Sequence, residues 1–258
     1  MESDDSFCRD DRVGEEETRE GKNKKRSGRH GARNERRHKN LARWLLSRFP
    51  DLLSEDALVL DVAGGKGELA ARLTMCHKLR VVMVDPRPAD VPKCFETVVL
   101  RKLPNKWQHR LDERQKENPS FLKETIQSRF RQLVMCFDEK SVEESEELQE
   151  VIQESSLIVG MHADGATEPI VNAAIRHGKP FVAVPCCVFP RLFPQRMVEE
   201  HGEMVQVRSH DQFCKYLVQK HPGFVMETLP FEGRNVAIWW DGVASNSDMS
   251  RKAAAAQF

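Results

Sequence analysis

The 258-residue chain lacks any apolar run of 18 residues or more, which excludes a membrane-spanning helix. It also lacks any pair of cysteines at CxxC spacing, and its seven cysteines are an odd number. That pattern fits a reducing compartment better than a disulfide scaffold. No period of 20–50 residues repeats, so a solenoid or propeller is not expected. The first residues are acidic and contain no apolar stretch, the opposite of a secretory signal or an Arg-rich transit peptide. Net charge is absent too, with 40 Lys+Arg against 40 Asp+Glu. These absences predict a soluble intracellular protein, cytoplasmic or nuclear, with no membrane partner. What is present is enough for a core, since 40% of the residues are apolar and a chain of this size buries roughly 70% of its unfolded surface.

The neutral total conceals a segregated start. Residues 1–20 hold nine acids and three arginines, and residues 21–40 hold nine Lys/Arg and only Glu35. Neither block has an apolar period, so residues 1–40 are expected to be a disordered acidic-then-basic leader. The basic block Lys22–Lys39 suits nucleic acid or a nuclear address, or equally a solvated leader. Residues 242–258 are Ser/Ala-rich and read as a flexible tail. Between them, residues 41–241 form the expected domain.

That domain alternates strand and helix signals. Leu41, Trp44, Leu45 and Phe49 form a helical stripe ended by Pro50,. Ala57–Val62 and Leu79–Asp85 are short buried strands, separated by a helix over Glu68–Leu73. Phe95–Leu100 reads as a strand, and Asn105–Arg131 as one charged helix within an insertion spanning about residues 101–131. Gln132–Phe137 is the expected third strand of the main sheet. Ser141 with Glu144 reads as a capping box opening an acidic helix with Leu148, Val151 and Ile152 on its apolar face. Ser156–Met161 is the next strand, and Thr167 the cap of a helix over Glu168–His177 that Gly178 ends. Phe181–Val184 is a strand and His210–His221 a helix. Phe224–Leu229 and Asn235–Trp240 are too close for a parallel crossover and must pair as an antiparallel hairpin. The whole predicts an α/β fold, a Rossmann-like seven-stranded mostly parallel sheet with helices on both faces.

Three motifs lie at strand ends. Asp61-Val62-Ala63-Gly64-Gly65-Lys66-Gly67 links the first strand to a helix, where glycines let a ligand approach the backbone and the helix start offers N–H groups to an anion. A P-loop requires GxxxxGK[ST], and Gly67 follows Lys66 here. A dinucleotide fingerprint is met loosely by Gly65, Gly67 and Ala70. The Asp/Glu-x-Gly-x-Gly-x-Gly loop of methyltransferases is met with Ala63 in the first glycine position. Asp85 closes the second strand, placed either to accept from ribose hydroxyls or to start an Asp-Pro turn. His162-Ala163-Asp164-Gly165-Ala166-Thr167 follows the fourth strand, where open α/β sheets bind ligands. There His162 and Asp164 are candidate proton acceptors, with helix capping by Asp164 and Thr167 as the bland alternative. Pro185-Cys186-Cys187 follows the fifth strand. Adjacent cysteines do not have zinc-ligand spacing, so no metal is expected, and a turn lining a pocket is the preferred reading.

Together, Gly64-Gly65-Lys66-Gly67-Glu68-Leu69, His162 to Thr167 and Pro185-Cys186-Cys187 resemble three signatures of one group. That group is the class I methyltransferase-like domains shared by acceptor-stem tRNA ribose methyltransferases and their relatives, with patterns near GxGKGxL, H-x-C-G-x-A-T-D and C-C. The resemblance spans about residues 41–241. The chain departs from it at Ala163-Asp164, at Glu168 in place of Asp, in lacking a His after the Cys pair, and in lacking a preceding Cys/His zinc module. The resemblance implies S-adenosylmethionine as cofactor. Asp61 would hold its amino group, Ala63, Gly64, Gly65 and Gly67 would pass its amino-acid end, Asp85 would take its ribose and Asp138 its adenine. It implies His162 or Asp164 as the acceptor's proton partner, with Pro185, Cys186 and Cys187 lining the substrate pocket. RNA is the leading acceptor class, held by the basic leader and by Lys106, Arg110, Arg114, Lys123, Arg129 and Arg131. A nicotinamide-dependent enzyme and a catalytically inactive binding module are the other readings.

Overall fold

The computed structural model describes residues 36–242; the basic block before Arg36 and the tail after Gly242 lie outside the described residues. Seven strands form one sheet: β1 (Leu58–Val62), β2 (Arg80–Val84), β3 (Phe130–Leu133), β4 (Leu157–Met161), β5 (Phe181–Val184), β8 (Val225–Thr228) and β9 (Val236–Trp240). Their order is β3-β2-β1-β4-β5-β9-β8. Only β9 runs against the others, pairing antiparallel with both β5 and β8. This is the Rossmann-like sheet with a C-terminal antiparallel hairpin that the alternation predicts. A separate two-stranded ribbon, β6 (Met197–Glu200) with β7 (Glu203–Gln206), has no counterpart in the sequence reading. Among the described residues, no helix is long and apolar enough to cross a membrane.

Strand periodicity divides the core in two. Leu58, Leu60 and Val62 point to one face, against Val142 of α6 (Glu139–Glu144), the Leu148, Val151 and Ile152 stripe of α7 (Glu146–Glu154), α8 (Thr167–His177) and α9 (His210–Gln219). Val59, with Val81 and Val159, points to the other face, against Leu41 and Leu45 of α1 (Arg37–Arg48) and Leu69 and Leu73 of α2 (Glu68–His77). Asp61 shares the parity of Val59, so its carboxylate enters this second core. A satellite cluster packs α2 against α3 (Val91–Cys94), α4 (Asn105–Glu117) and α5 (Phe121–Gln127).

Several boundaries differ from expectation for identifiable reasons. α1 begins at Arg37, inside the segment read as leader, because the Leu41–Leu45 stripe carries a polar first turn with it. Phe95–Leu100 is not a strand. Phe95–Val99 is a π-helical turn and Leu100–Lys102 a 3-10 turn continuing α3. Val91, Phe95, Val99 and Leu103 recur every four residues and are all buried, so packing overrides the β-branched composition. The charged helix of the insertion breaks at Asn118-Pro119, where the Asn118 carboxamide accepts from the Ser120 amide. β3 starts at Phe130 rather than Gln132, because pairing with β2 (Val81 with Phe130, Val84 with Leu133) sets the register of this edge strand. The capping box is formed by Asp138 with Ser141 at its third helical position, and Ser145 caps a second helix. Thr167 is the first residue of α8 and makes no cap.

Candidate functional site

The carboxyl ends of β1 and β4, neighbours at the middle of the sheet, open into a cavity of about 440 Å³. From the β1 end it is lined by Asp61, Ala63, Gly64 and Gly65, from the β4 end by Met161 and His162, and from α1 by Arg37 and His38. A second hollow of about 460 Å³ adjoins it, sharing Gly65, Lys66 and Arg87 and adding Pro88 and Ala89 from the turn after β2.

The loop over α2 is shaped for close approach. A Cβ on Gly64 would lie 2.5 Å from Met83 Sδ and 2.7 Å from Asp61 Oδ2, so no side chain fits there. Gly67 stands at φ +76 as the N-cap of α2, and a Cβ there would meet Val91 at 2.5 Å. Ala63 adopts φ +56 without being glycine, held by its amide bond to the Val84 carbonyl at 2.7 Å.

Asp61 is 2% exposed, and its Oδ2 has no hydrogen-bond partner. Desolvation first, and the neighbouring charge of Asp85 second, push its carboxyl up to about 7. Asp85 behaves differently, although it is as deeply placed. Burial alone would raise it, but hydrogen bonds from Arg87 and from the Gly65 amide prevail and hold it below the ordinary range. Its Oδ2 accepts from the Gly65 amide at 2.9 Å, and its Oδ1 from the Arg87 amide at 2.9 Å and Arg87 Nε at 3.1 Å. Asp85 therefore ties the glycine loop to the turn after β2 from beneath.

His162 sits at φ +58, its amide bonded to the Val184 carbonyl at 3.0 Å. Its Nε2 is buried without a partner. Desolvation, then the charges of Arg37 and His38, lower its imidazole to about 4, so the ring is neutral at pH 7. Glu68, at the first turn of α2, is the opposite case. Burial raises it, but the hydrogen bond from His38 and the charges of His38, Arg72 and Lys102 bring it down to about 2. His38 Nδ1 lies 3.1 Å from Glu68 Oε2, which ties α1 to α2 at the cavity wall.

Not every expected residue joins this cavity. Asp138 is exposed and its Oδ1 accepts from the Ser141 amide at 2.8 Å, so it serves α6 and lies outside both hollows. Asp164, Cys186 and Cys187 form their own cluster beside the cavity. There the Cys186 thiol donates to Asp164 Oδ1 at 3.0 Å. Burial, then Asp164, push the Cys186 thiol up to about 12. Pro185 is buried behind them, its carbonyl 3.1 Å from His210 Nε2. Arg37, His38 and Arg87 were not among the expected site residues. Arg37 and His38 precede the Leu41 stripe by one helical turn, a signal hidden by the surrounding basic run.

No family model matches the chain, and no curated protein does. Solved structures do match. The methyltransferase domain of the bacterial CtHen1-CN is 10% identical, over 78% of this chain and 96% of that one, with a TM-score of 0.41. MycE methyltransferase from the mycinamycin biosynthetic pathway, solved with Mg and SAH, is 11% identical over 83% and 49%, with a TM-score of 0.40; this chain spans about half of its length. An O-methyltransferase family protein from Burkholderia thailandensis is 15% identical over 78% and 57%, with a TM-score of 0.35. At such values no substrate, mechanism or residue role passes from those proteins to this chain.

Proposed function

We propose that the cavity takes S-adenosylmethionine and that the protein transfers its methyl group to an acceptor, RNA being the leading class. The observation that carries this reading is that two of the three buried, partnerless side-chain atoms among the described residues, Asp61 Oδ2 and His162 Nε2, belong to residues lining one cavity; the third, Thr167 Oγ1, lies outside it. A buried polar group without a partner costs about 1–3 kcal/mol; a cofactor amino group at Asp61 and an acceptor group at His162 would remove those costs. The Asp61 carboxylate suits an amino group. The loop Ala63–Gly67, with no room for a side chain at Gly64, suits a carboxylate approaching the start of α2. Asp85 suits ribose hydroxyls, which would replace the Arg87 side chain as donors. When bound, the cofactor supplies a methyl group on a sulfonium, so the protein's task is mainly alignment and removal of the acceptor's proton. His162, neutral and with a free ring nitrogen, takes that proton; Asp164 orients the neighbouring Cys186 thiol.

Charge supports RNA as the acceptor. Lys106, Arg110 and Arg114 recur every four residues along α4, Lys106 and Arg110 exposed against the Trp107 ring and Arg114 against Phe121; a ring contact does not cancel a cation's charge. Arg129 and Arg131 are engaged with Asp56 and Glu147 and leave that set. Calorimetric titration with S-adenosylmethionine, with NADH in parallel, tests the cofactor. Micromolar binding of the methyl donor that Asp61→Asn removes is expected; binding of NADH alone, or of neither, refutes the reading. For RNA, a chain lacking residues 1–35 should bind more weakly and with a shallower salt dependence. Removal should stop there, since α1 begins at Arg37. Binding unchanged by that deletion excludes the leader as the phosphate-holding element.

A further inference from the structure

Among the described residues, one group of metal-ligating side chains stands together: Asp164 from the turn after β4, and Cys186 and Cys187 from the segment after β5. One ligand atom from each lies within 4.8 Å of the other two. Adjacent cysteines alone are a poor start for a metal site, because zinc ligands in one segment are usually two to four residues apart. Sequence spacing does not contain the third ligand, which comes from a different strand. β4 and β5 are parallel and in register, Met161 beside Val184, so the residues that follow both strands emerge at the same end of the sheet. Asp164 is held at φ +47, and its Oδ1 already accepts from Cys186. Pro185, immediately before the pair, is anchored through its carbonyl to His210. Two thiols and one carboxylate are a borderline-soft donor set, and three protein ligands with one position open is an established zinc arrangement. Asp164 is exposed and the two cysteines partly so, which leaves the open side to solvent.

We propose that Asp164, Cys186 and Cys187 bind one zinc(II) ion, leaving a fourth position for water or an oxygen of an incoming molecule. Both thiols release their protons to solvent as the two zinc–sulfur bonds form, and no electrons are transferred. The site does not depend on the cofactor reading.

The test uses the full chain, reduced with a phosphine, stripped with a chelator and titrated with cobalt(II). One equivalent should produce a thiolate-to-cobalt charge-transfer band. That band roughly halves in Cys186→Ser or Cys187→Ser, while Asp164→Asn weakens binding by about tenfold or more. Cys136→Ser, at an exposed thiol elsewhere, should leave it unchanged. Zinc should displace the cobalt and shield Cys186 and Cys187 of the unaltered chain from maleimide, read by peptide mapping, which requires no variant to fold. No band, a band of undiminished intensity in either single variant, a band that persists when both cysteines are replaced together, or equal alkylation with and without zinc overturns the proposal. A chain that binds S-adenosylmethionine but gives no cobalt band refutes the zinc site alone; the reverse result refutes the cofactor alone.

Discussion

Replacing Asp61 by asparagine should strengthen the fold above about pH 7, and not at pH 4, while destroying the site,. The carboxyl is held at about 7 in the native chain against 3.8 in its ordinary state. Between those values the folded protein keeps a proton that the unfolded chain gives up, so stability falls as pH rises from 3.8 to 7. Three units at 1.36 kcal/mol each come to about 4 kcal/mol. Asparagine never ionises, so its own cost, about 1–3 kcal/mol for an amide without a full set of partners, is the same at every pH. The unfolding free energy of Asp61→Asn minus that of the parent should therefore rise by about 4 kcal/mol between pH 4 and pH 8. In a domain of this size that is a relative gain in Tm of roughly 8–16 °C. Urea unfolding of both proteins at half-unit pH steps measures it. A difference that stays flat across the interval refutes the assignment of Asp61 as a buried carboxylate waiting for a cation. So does a variant that still binds S-adenosylmethionine normally.

Other outcomes follow from the same contacts. Gly64→Ala drives a methyl group onto Met83 Sδ and Asp61 Oδ2; a loss of about 1–3 kcal/mol in thermal unfolding and weakened cofactor binding are expected, and a neutral result would mean the loop moves freely. Arg87→Ala frees the Asp85 carboxylate from a side chain that is itself 78% exposed. Calorimetry should show about two- to fivefold tighter binding of S-adenosylmethionine, and weaker binding would place Arg87 on the ligand instead. Glu168→Gln breaks a half-buried junction in which Glu168 pairs with the buried Arg196 at 2.6 Å and with Lys220 at 2.7 Å; denaturant titration should show a loss of about 1–3 kcal/mol. Burial would raise Glu168, but Lys220, Tyr216 and Arg196 hold it low. Its contribution is therefore full above the ordinary glutamate range and lost as pH falls through its lowered value, and the variant should lack that acid-side decline.

Much of the sheet was legible from sequence because its middle strands carry their own signal. β1, β2, β4 and β5 are short apolar runs ended by turn residues, and the loop between β8 and β9 is too short for anything but a hairpin. β3 was misplaced by two residues because an edge strand takes its register from β2, not from its own hydrophobicity. The helical run from Val91 to Lys102 was missed because its β-branched residues read as strand when taken singly, whereas their spacing of four binds them to α2. At the site, the loop from Asp61 to Gly67 and the turn at His162 were visible as local motifs. The closure of the cavity by Arg37 and His38 was not, since it depends on α1 crossing α2 from a segment whose charges resemble those of its neighbours. Nor was the capping role of Asp138, which is decided by where α6 begins.

Ala63 and His162, the two non-glycine residues at positive φ that floor the cavity, donate their amides to the ends of β2 and β5, at Val84 and Val184. Those bonds continue the ladders around the two central strands, so neither turn can relax unless its strand separates from a neighbour. In hydrogen-exchange terms, the amides of Ala63 and His162 are expected to fall in the slowest class, opening only with the whole domain, whereas the low-stability loops that commonly form binding sites exchange by local opening. The floor of this cavity is thus as durable as the sheet, and any adjustment to a ligand falls to the walls supplied by Arg37, His38 and Arg87.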